Sequence, residues 1–295
     1  MSKFTGAWPA LVTPFTTTNH VNIPVLQELA EYLIQKGAAG FYLCGSTGQG
    51  LSMSLPERKL VLETVLEQVN GRIPIMTQVG CLSVPEAVDL ARHAQEAGAD
   101  AISSIIPPGY RSQEALFAYF AAVAGGAPDL PFLAYILSPN VDTVAFIRQL
   151  QTISNMAGIK YTGPNMYQMR QITQLRNHDW TVFSGMDEQC VFAAMWGSNG
   201  NIGSTLNVMP GLYREIHRSC HRGDIDRAQS LQLQANQITE RLHDFGFMGA
   251  LRAALGFLGL DCGDPRLPGL PLQAGEQKTL REQLEVVNFF AAADL

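Results

Sequence analysis

Short apolar stretches alternate with longer amphipathic stretches along the first two thirds of the chain. Eight of the short stretches are rich in valine, isoleucine and aromatic residues and show little strict alternation, which is typical of parallel strands covered on both faces. They are WPALVT (8–13), GFYLC (40–44), IPIMTQV (73–79), DAISSII (100–106), PFLAYI (131–136), AGIKYT (157–162), WTVFSG (180–185) and GNIGST (200–205).

The stretches between these strands predict helices, because their apolar side chains recur at spacings of three and four. The clearest run over residues 23–37, 54–71 and 83–98, and each ends at a glycine. Ser54 opens the second of them, with Pro56 in its first turn. Ser83 is predicted to be the N-cap of the third, with Glu86 three residues on, as in a capping box.

Eight strand–helix units over roughly the first 220 residues predict an α/β fold, a (β/α)8 TIM barrel. A doubly wound open sheet is the alternative, but such sheets usually carry a glycine-rich phosphate fingerprint after the first strand. The corresponding stretch here, VTPFTTTNH, has none. After residue 222 the pattern predicts three helices, over 224–245, 246–260 and 275–293, with a glycine- and proline-rich loop over 262–272. We therefore predict a barrel over residues 1–222 and a three-helix extension over 223–295.

Composition and charge narrow the class of protein. Apolar residues make up 46% of the chain and charged residues 16%, as in a globular protein. A formal charge of −6 without a basic run argues against nucleic acid or an anionic membrane as a partner. The five cysteines are scattered, and the first residues do not read as a signal peptide, so we expect a reduced, cytoplasmic protein.

One lysine stands out from the apolar pattern. In the stretch MAGIKYTGPN, Lys160 ends the sixth predicted strand, where burying an ammonium group is costly, and a desolvated lysine is a candidate nucleophile. A structural lysine, snorkelling or salt-bridged, is the alternative, and the residues alone leave the two open. Tyr135 ends the fifth strand, where a tyrosine is more often a packing residue than a catalytic one.

Further polar residues follow other strands of the predicted barrel. GSTGQG (45–50) follows the second strand and offers backbone N–H groups and two hydroxyls to an anion, although such turns also simply cap helices. Asp187 and Glu188 follow the seventh strand, where a helix cap is the competing role, and GSTLN (203–207) closes the eighth. Because catalytic groups of TIM barrels collect at the carboxyl ends of the strands, these residues predict Schiff-base chemistry on a 2-keto acid.

The chain resembles the pyruvate-dependent class I aldolases of the dihydrodipicolinate synthase and N-acetylneuraminate lyase family. The resemblance runs from ALVTPF through GSTG, the strand-five tyrosine and GIKYT to the helical tail, and so covers nearly the whole chain. Three features favour the neuraminate lyase branch: Ser46 and Thr47 in the GST loop, Thr162 two residues after the lysine, and SGMDEQ followed by NIGSTLN.

The resemblance implies a role for each site residue. Lys160 would form the imine, Tyr135 would relay a proton, and Ser46 and Thr47 would hold the substrate carboxylate. The residues implied to bind substrate beyond that loop are Thr162, Gly185, Asp187, Glu188 and Ser204. Tyr110 is the candidate for the second active-site tyrosine of the family, although the neighbouring aromatic residue that relatives often have is missing. No metal or bound cofactor is implied, and a homotetramer is.

Two departures keep other activities open. Gln49 stands where the family usually has glutamate, and ILSPN follows Tyr135 in place of the usual sequence. The enzymatic alternatives are a 2-keto-3-deoxy sugar acid aldolase, a hydratase-aldolase or dihydrodipicolinate synthase. A barrel that binds a keto acid or sugar acid without turnover is the alternative outside catalysis. His217 and His221 have a spacing that can bind a metal, but with no third ligand nearby we interpret them as a solvated helix face.

Overall fold

The computed structural model describes residues 3–110, 112–137, 142–175 and 180–295. Within these ranges eight parallel strands form one sheet, each at the place that the apolar pattern predicts. The strands are β1 (Gly6–Pro9), β2 (Phe41–Leu43), β3 (Ile75–Gln78), β4 (Ala101–Ile105), β5 (Phe132–Leu137), β6 (Met156–Thr162), β7 (Thr181–Ser184) and β8 (Gly200–Gly203).

The sheet closes on itself and confirms the predicted barrel. Each strand pairs in parallel with its neighbours in the chain, and β1 pairs with β8. Ala10 bridges to Tyr42, and the amide of Leu11 donates to the carbonyl of Tyr42 at 2.9 Å, which joins β1 to β2. The eight helices that follow the strands are α1 (Ile23–Gln35), α2 (Leu55–Val69), α3 (Val84–Ala97), α4 (Gln113–Gly126), α5 (Thr143–Leu150), α6 (Met166–Gln174), α7 (Cys190–Met195) and α8 (Pro210–Arg222).

Two apolar clusters hold the barrel together. The larger one lies between the strands and the surrounding helices. The smaller one fills the interior of the barrel with large side chains such as Trp8, Tyr42, Leu133 and Phe183. Because both faces of each strand are buried, the strands are apolar throughout, which explains why they lack a polar alternation.

Helix ends follow the predicted signals in one case and not in another. Ser54 forms a complete capping box with Glu57 at the start of α2. Ser83 is the N-cap residue of α3, as predicted, but its hydroxyl makes no capping hydrogen bond. Pro85 has no N–H and so removes one of the two amides from which a cap normally accepts.

The C-terminal part, residues 223–295, holds four helices instead of the predicted three. They are α9 (Ile225–Asp244), α10 (Phe247–Phe257), α11 (Ala274–Val286) and α12 (Phe289–Asp294). Asn288 takes a left-handed backbone with φ of 57°, which ends the last predicted helix early and separates α11 from α12. Residues 262–272 form a loop, as predicted. The division into units 1–222 and 223–295 stays a prediction. No helix in the described part of the chain is both long and apolar enough to cross a bilayer.

Candidate active site

Lys160 lies at the carboxyl end of the barrel beside Tyr135. The parallel register pairs Tyr135 of β5 with Lys160 of β6, so the two side chains point into the barrel from neighbouring strands. Lys160 is only 5% exposed, and its Nζ lies 4.2 Å from the ring centroid of Tyr135 and 4.6 Å from that of Tyr42. The two ring faces stabilise the buried ammonium by cation–π attraction.

The other four lysines differ from Lys160 in one respect. Each forms an ion pair, namely Lys3 with Asp100, Lys36 with Asp294, Lys59 with Asp89 and Lys278 with Glu282. No carboxylate among the described residues lies within 4 Å of Lys160. A buried amine without a counter-ion is poorly suited to a structural ion pair and well suited to react as a nucleophile.

The hydroxyl of Tyr135 is available for proton transfer. Tyr135 is 4% exposed, and its hydroxyl has no hydrogen-bond partner in the described part of the chain. The hydroxyl of Tyr42, in contrast, donates to Ser103 Oγ at 3.1 Å. Burial raises the pKa of Tyr42 well above its usual value, so this phenol stays protonated and supports Lys160 only through its ring.

The GSTGQG loop follows β2 in a conformation that its surroundings must hold in place. Cys44 and Gln49 have left-handed backbones, with φ of 55° and 53°. Such backbones are uncommon outside glycine and asparagine, and they occur often at functional sites. Ser46 is exposed, whereas Thr47 is buried and its Oγ1 lies 2.6 Å from Ser204 Oγ. The structure therefore joins this loop to the end of β8.

Gly185 lies against Lys160. A β-carbon at this position would collide with Thr162 Oγ1 and would stand 2.9 Å from Lys160 Cε, so only glycine fits here. The Thr162 hydroxyl is buried beside it and has no hydrogen-bond partner among the described residues. Thr162, Gly185 and Lys160 are thus brought together at the ends of β6 and β7.

Asp187 is a buried carboxylate with one oxygen committed to structure. Its Oδ2 accepts from the Thr205 amide at 2.9 Å and from the Thr205 hydroxyl at 2.8 Å, which ties the turn after β7 to the turn after β8. Its Oδ1 is buried without a partner in the described residues. Burial raises the pKa of Asp187 to about 6, an effect that the Thr205 hydrogen bonds and the charge of Lys160 oppose.

The C-terminal helix α9 holds the Asp187–Glu188 turn in place from behind. Gln232 Nε2 donates to the carbonyl of Asp187 at 3.0 Å, and Asn236 Nδ2 donates to the carbonyl of Glu188 at 3.1 Å. The Glu188 side chain is partly exposed, and its Oε1 lies 3.7 Å from His243 Nε2. The helical extension therefore contributes directly to the geometry of the site.

Two buried arginines lie on either side of the GSTGQG loop. Arg58 of α2 donates to the carbonyls of Gly80 and Gln78, and Arg252 of α10 donates to the carbonyls of Thr13 and Cys262. Neither has a carboxylate within 4 Å in the described ranges. Together with Lys160 they place unpaired positive charge at this end of an acidic protein, which favours an anionic ligand.

Some residues were missed or differently placed by the sequence interpretation. Tyr42 was not predicted as a site residue. Its side chain points to the opposite face of β2 from those of Phe41 and Leu43, and β2 directly precedes the GSTGQG loop, which is the signal that could have identified it. The ring of Tyr110 packs on Tyr119 at 5.3 Å and makes no contact with Tyr135 or Lys160 among the described residues.

The histidine pair on α8 is a solvated face, as predicted, only at His221, which is exposed. His217 is half-buried, its Nε2 lies 2.9 Å from Asn201 Oδ1, and desolvation lowers its pKa to about 4. Within the described ranges no three His, Cys, Asp or Glu side chains converge to hold a metal.

Comparison with known proteins places this geometry in a family. The chain matches the dihydrodipicolinate synthetase family over residues 3–287. It is 34% identical to N-acetylneuraminate lyase from Escherichia coli over 288 residues, which cover 95% of this chain and 96% of that protein. Among solved structures, Proteus mirabilis N-acetylneuraminate lyase superposes with a TM-score of 0.93 at 28% identity, covering 98% of this chain and 100% of that one.

Solved structures with other names in the same family superpose nearly as well. A catalytic lysine mutant of Ruminococcus gnavus sialic acid aldolase has a TM-score of 0.94 at 26% identity, covering 99% of this chain and 97% of that one. Dihydrodipicolinate synthase from Aquifex aeolicus has a TM-score of 0.90 at 27% identity, covering 97% and 99%. The chain therefore belongs to the dihydrodipicolinate synthetase family. It is a carbon–carbon lyase of the class I aldolase type, as the resemblance implied.

The raised pKa of Asp187 predicts a pH-dependent stability difference for Asp187→Asn. Between about pH 4 and pH 6 the folded protein keeps the Asp187 proton that the unfolded chain releases, so this group makes wild type less stable as pH rises. Asparagine has no such proton. The free energy of unfolding of the variant relative to wild type should rise by about 2 kcal/mol across this window and then level off. Urea unfolding from pH 4 to pH 7 measures it, and a difference that does not change with pH contradicts the assignment.

Proposed function

We propose that the protein cleaves N-acetylneuraminate, or forms it in reverse, through an imine on Lys160. The observation that carries the proposal is the burial of Lys160 at a strand end, between two tyrosine rings and without a carboxylate partner in the described residues. The names of the relatives support the substrate, and the catalytic lysine mutant among the superposed structures supports a reactive lysine in this fold.

The proposed reaction begins with attack of the neutral Lys160 amine on C2 of the open-chain keto sugar acid. Loss of water gives a protonated imine, which draws electrons from the C3–C4 bond as that bond breaks. Tyr135 relays the proton of the C4 hydroxyl, giving up its own O–H proton as it accepts that one, and the sugar leaves as an aldehyde. The relayed proton is delivered to C3 of the remaining enamine, and water then releases pyruvate and the free amine. The iminium serves as the electron sink, so the proposed cycle needs no metal or other cofactor.

The remaining site residues have assigned positions in this proposal. Ser46 and Thr47, with the backbone N–H groups of their loop, hold the substrate carboxylate. The residues proposed for the polyol end are Thr162, Gly185, Asp187, Glu188 and Ser204. Two observations limit these roles. Ser204 is hydrogen-bonded to Thr47, and Asp187 has only Oδ1 free to accept a hydrogen bond from a ligand. Tyr110, whose ring packs on Tyr119, stays a candidate second tyrosine.

A second candidate substrate class is a shorter 2-keto-3-deoxy sugar acid, and dihydrodipicolinate synthase or hydratase-aldolase activity belongs to the same mechanistic group. The superposition on dihydrodipicolinate synthase is the observation that favours keeping this class.

Borohydride trapping in the presence of pyruvate tests the mechanism. We expect a reduced pyruvyl adduct on Lys160 and none on the four ion-paired lysines, which serve as internal controls in the same peptide map. An unmodified Lys160 in folded protein with excess pyruvate contradicts the imine mechanism.

The same trapping reaction, combined with a cleavage assay, tests the role of Tyr135 in proton transfer. Tyr135→Phe should still form the adduct but lose cleavage by about 10²–10⁴-fold, because only proton transfer is removed.

A panel of keto sugar acids with pyruvate release as the readout identifies the substrate. Cleavage of a short keto sugar acid without cleavage of N-acetylneuraminate rejects the first choice. Thermal stabilisation by a keto sugar acid, without any product, would indicate a protein that binds this ligand without turning it over.

We also propose that the protein is a cytoplasmic homotetramer. Its five cysteines, all within the described ranges, are free, as expected of a reducing compartment. Apolar side chains are exposed on the outer faces of α6 and α7, namely Tyr167, Phe192, Met195 and Trp196, at 46–67% exposure. Such a surface is typical of an interface between copies. Light scattering should give four times the mass of one chain, and Met195→Glu with Trp196→Glu should lower it. A stable wild-type monomer contradicts the assembly.

A further inference from the structure

Gln49 anchors the GSTGQG loop to the C-terminal extension through both ends of its side-chain amide. Its Nε2 donates to the carbonyl of Arg266 at 2.6 Å, and its Oε1 accepts from the Arg266 amide at 3.0 Å and from Arg252 Nη2 at 3.2 Å. Gln49 is 7% exposed. Because its left-handed backbone is not self-stabilising, these three hydrogen bonds hold the end of the loop in place.

The positively charged guanidinium of Arg252 lies beside Gln49 of this loop. Its side chain is 4% exposed, and its Nη2 donates both to Gln49 and to the carbonyl of Thr13 at 2.8 Å. Thr13 belongs to the segment after β1 against which Gly48 packs, since a β-carbon on Gly48 would stand 3.2 Å from Thr13 Oγ1. Arg252 thus contacts the Gln49 side chain of the loop and the backbone of the segment on which the loop packs.

The oxygens around the Arg252 guanidinium are neutral. It donates to the carbonyls of Cys262 and Gly263 at 2.7 and 3.3 Å, in addition to its bonds with Thr13 and Gln49. Burial lowers the pKa of Arg252 to about 10, which leaves it charged at neutral pH. Arg266 differs, because Glu57 neutralises it with contacts of 2.5 and 3.0 Å. Among the described residues, Arg252 has no such partner within 4 Å, and the Asp264 carboxylate acts on it only from a greater distance.

We propose that Gln49 is a positioning residue whose neutral amide leaves the charge of Arg252 unpaired, so that this charge increases the affinity of the loop for the carboxylate of the ligand. The proposal rests on the function proposed above and adds the reason why residue 49 is an amide. A carboxylate at the same atoms would pair with Arg252 inside a low-dielectric region and would cancel its field at the loop. It would also face the Arg266 carbonyl, to which only the amide N–H can donate.

Gln49→Glu tests the proposal, because the change keeps the shape of the side chain and adds a negative charge. Calorimetry measures the binding of pyruvate and of pyruvamide, the neutral amide with the same keto group. We expect the dissociation constant for pyruvate to rise by about three- to tenfold more than that for pyruvamide. Both ligands feel the lost hydrogen bond to the Arg266 carbonyl, whereas only the anion feels the lost charge. Gln49→Met, which removes the hydrogen bonds without adding charge, should change both ligands by the same factor.

Three results overturn the proposal: equal shifts for both ligands in Gln49→Glu, no shift for pyruvate, or no binding of pyruvate to the wild-type protein. If Gln49→Glu does not fold, Arg252→Gln removes the same charge from the other side. It also removes hydrogen bonds that both ligands feel, so it must weaken pyruvate binding more than pyruvamide binding, by a similar ratio. Borohydride trapping on wild type reports separately on the proposed function, since pyruvate can bind with this discrimination even where no adduct forms on Lys160.

Discussion

The burial of the Lys160 ammonium is the constraint on which the site depends. Transfer of a charged amine into a protein interior is costly unless it is paired, and Lys160 has no carboxylate within 4 Å in the described chain. The faces of Tyr42 and Tyr135 stabilise it in part. An amine held in this way at a strand end, without an ion-pair partner, is open to attack a carbonyl carbon of a ligand.

The helices after residue 223 hold the loops on which the substrate would rest. Gln232 and Asn236 of α9 donate hydrogen bonds to the carbonyls of the turn after β7. Arg252 of α10 donates a hydrogen bond to the Gln49 side chain of the GSTGQG loop. The short turns of the barrel do not supply these contacts themselves. The extension therefore holds both the GSTGQG loop and the Asp187–Glu188 turn, and substitutions in it are expected to affect the affinity of the site.

Much of this arrangement is predictable from the sequence because its determinants are local. Apolar runs locate all eight strands, and the rule that barrel chemistry lies at strand carboxyl ends selects Lys160, Tyr135 and Asp187. Contacts between distant residues are not predictable in this way. Thr47 meets Ser204 across 157 residues, and Gln49 meets Arg252 across 203, and no local pattern encodes either pair. The partial burial of His217 and the break at Asn288 likewise depend on packing and backbone conformation, for which side-chain polarity is a poor guide.

The most direct measurement of the central claim is a crystal structure of the protein after reduction with borohydride in the presence of pyruvate. We predict a covalent bond from Lys160 Nζ to C2 of the pyruvyl group, with its carboxylate against Ser46, Thr47 and the backbone N–H groups of their loop. We also predict that the Tyr135 hydroxyl lies on the open side of C3, where the sugar would leave. A carboxylate bound elsewhere, or an adduct on another lysine, would contradict it.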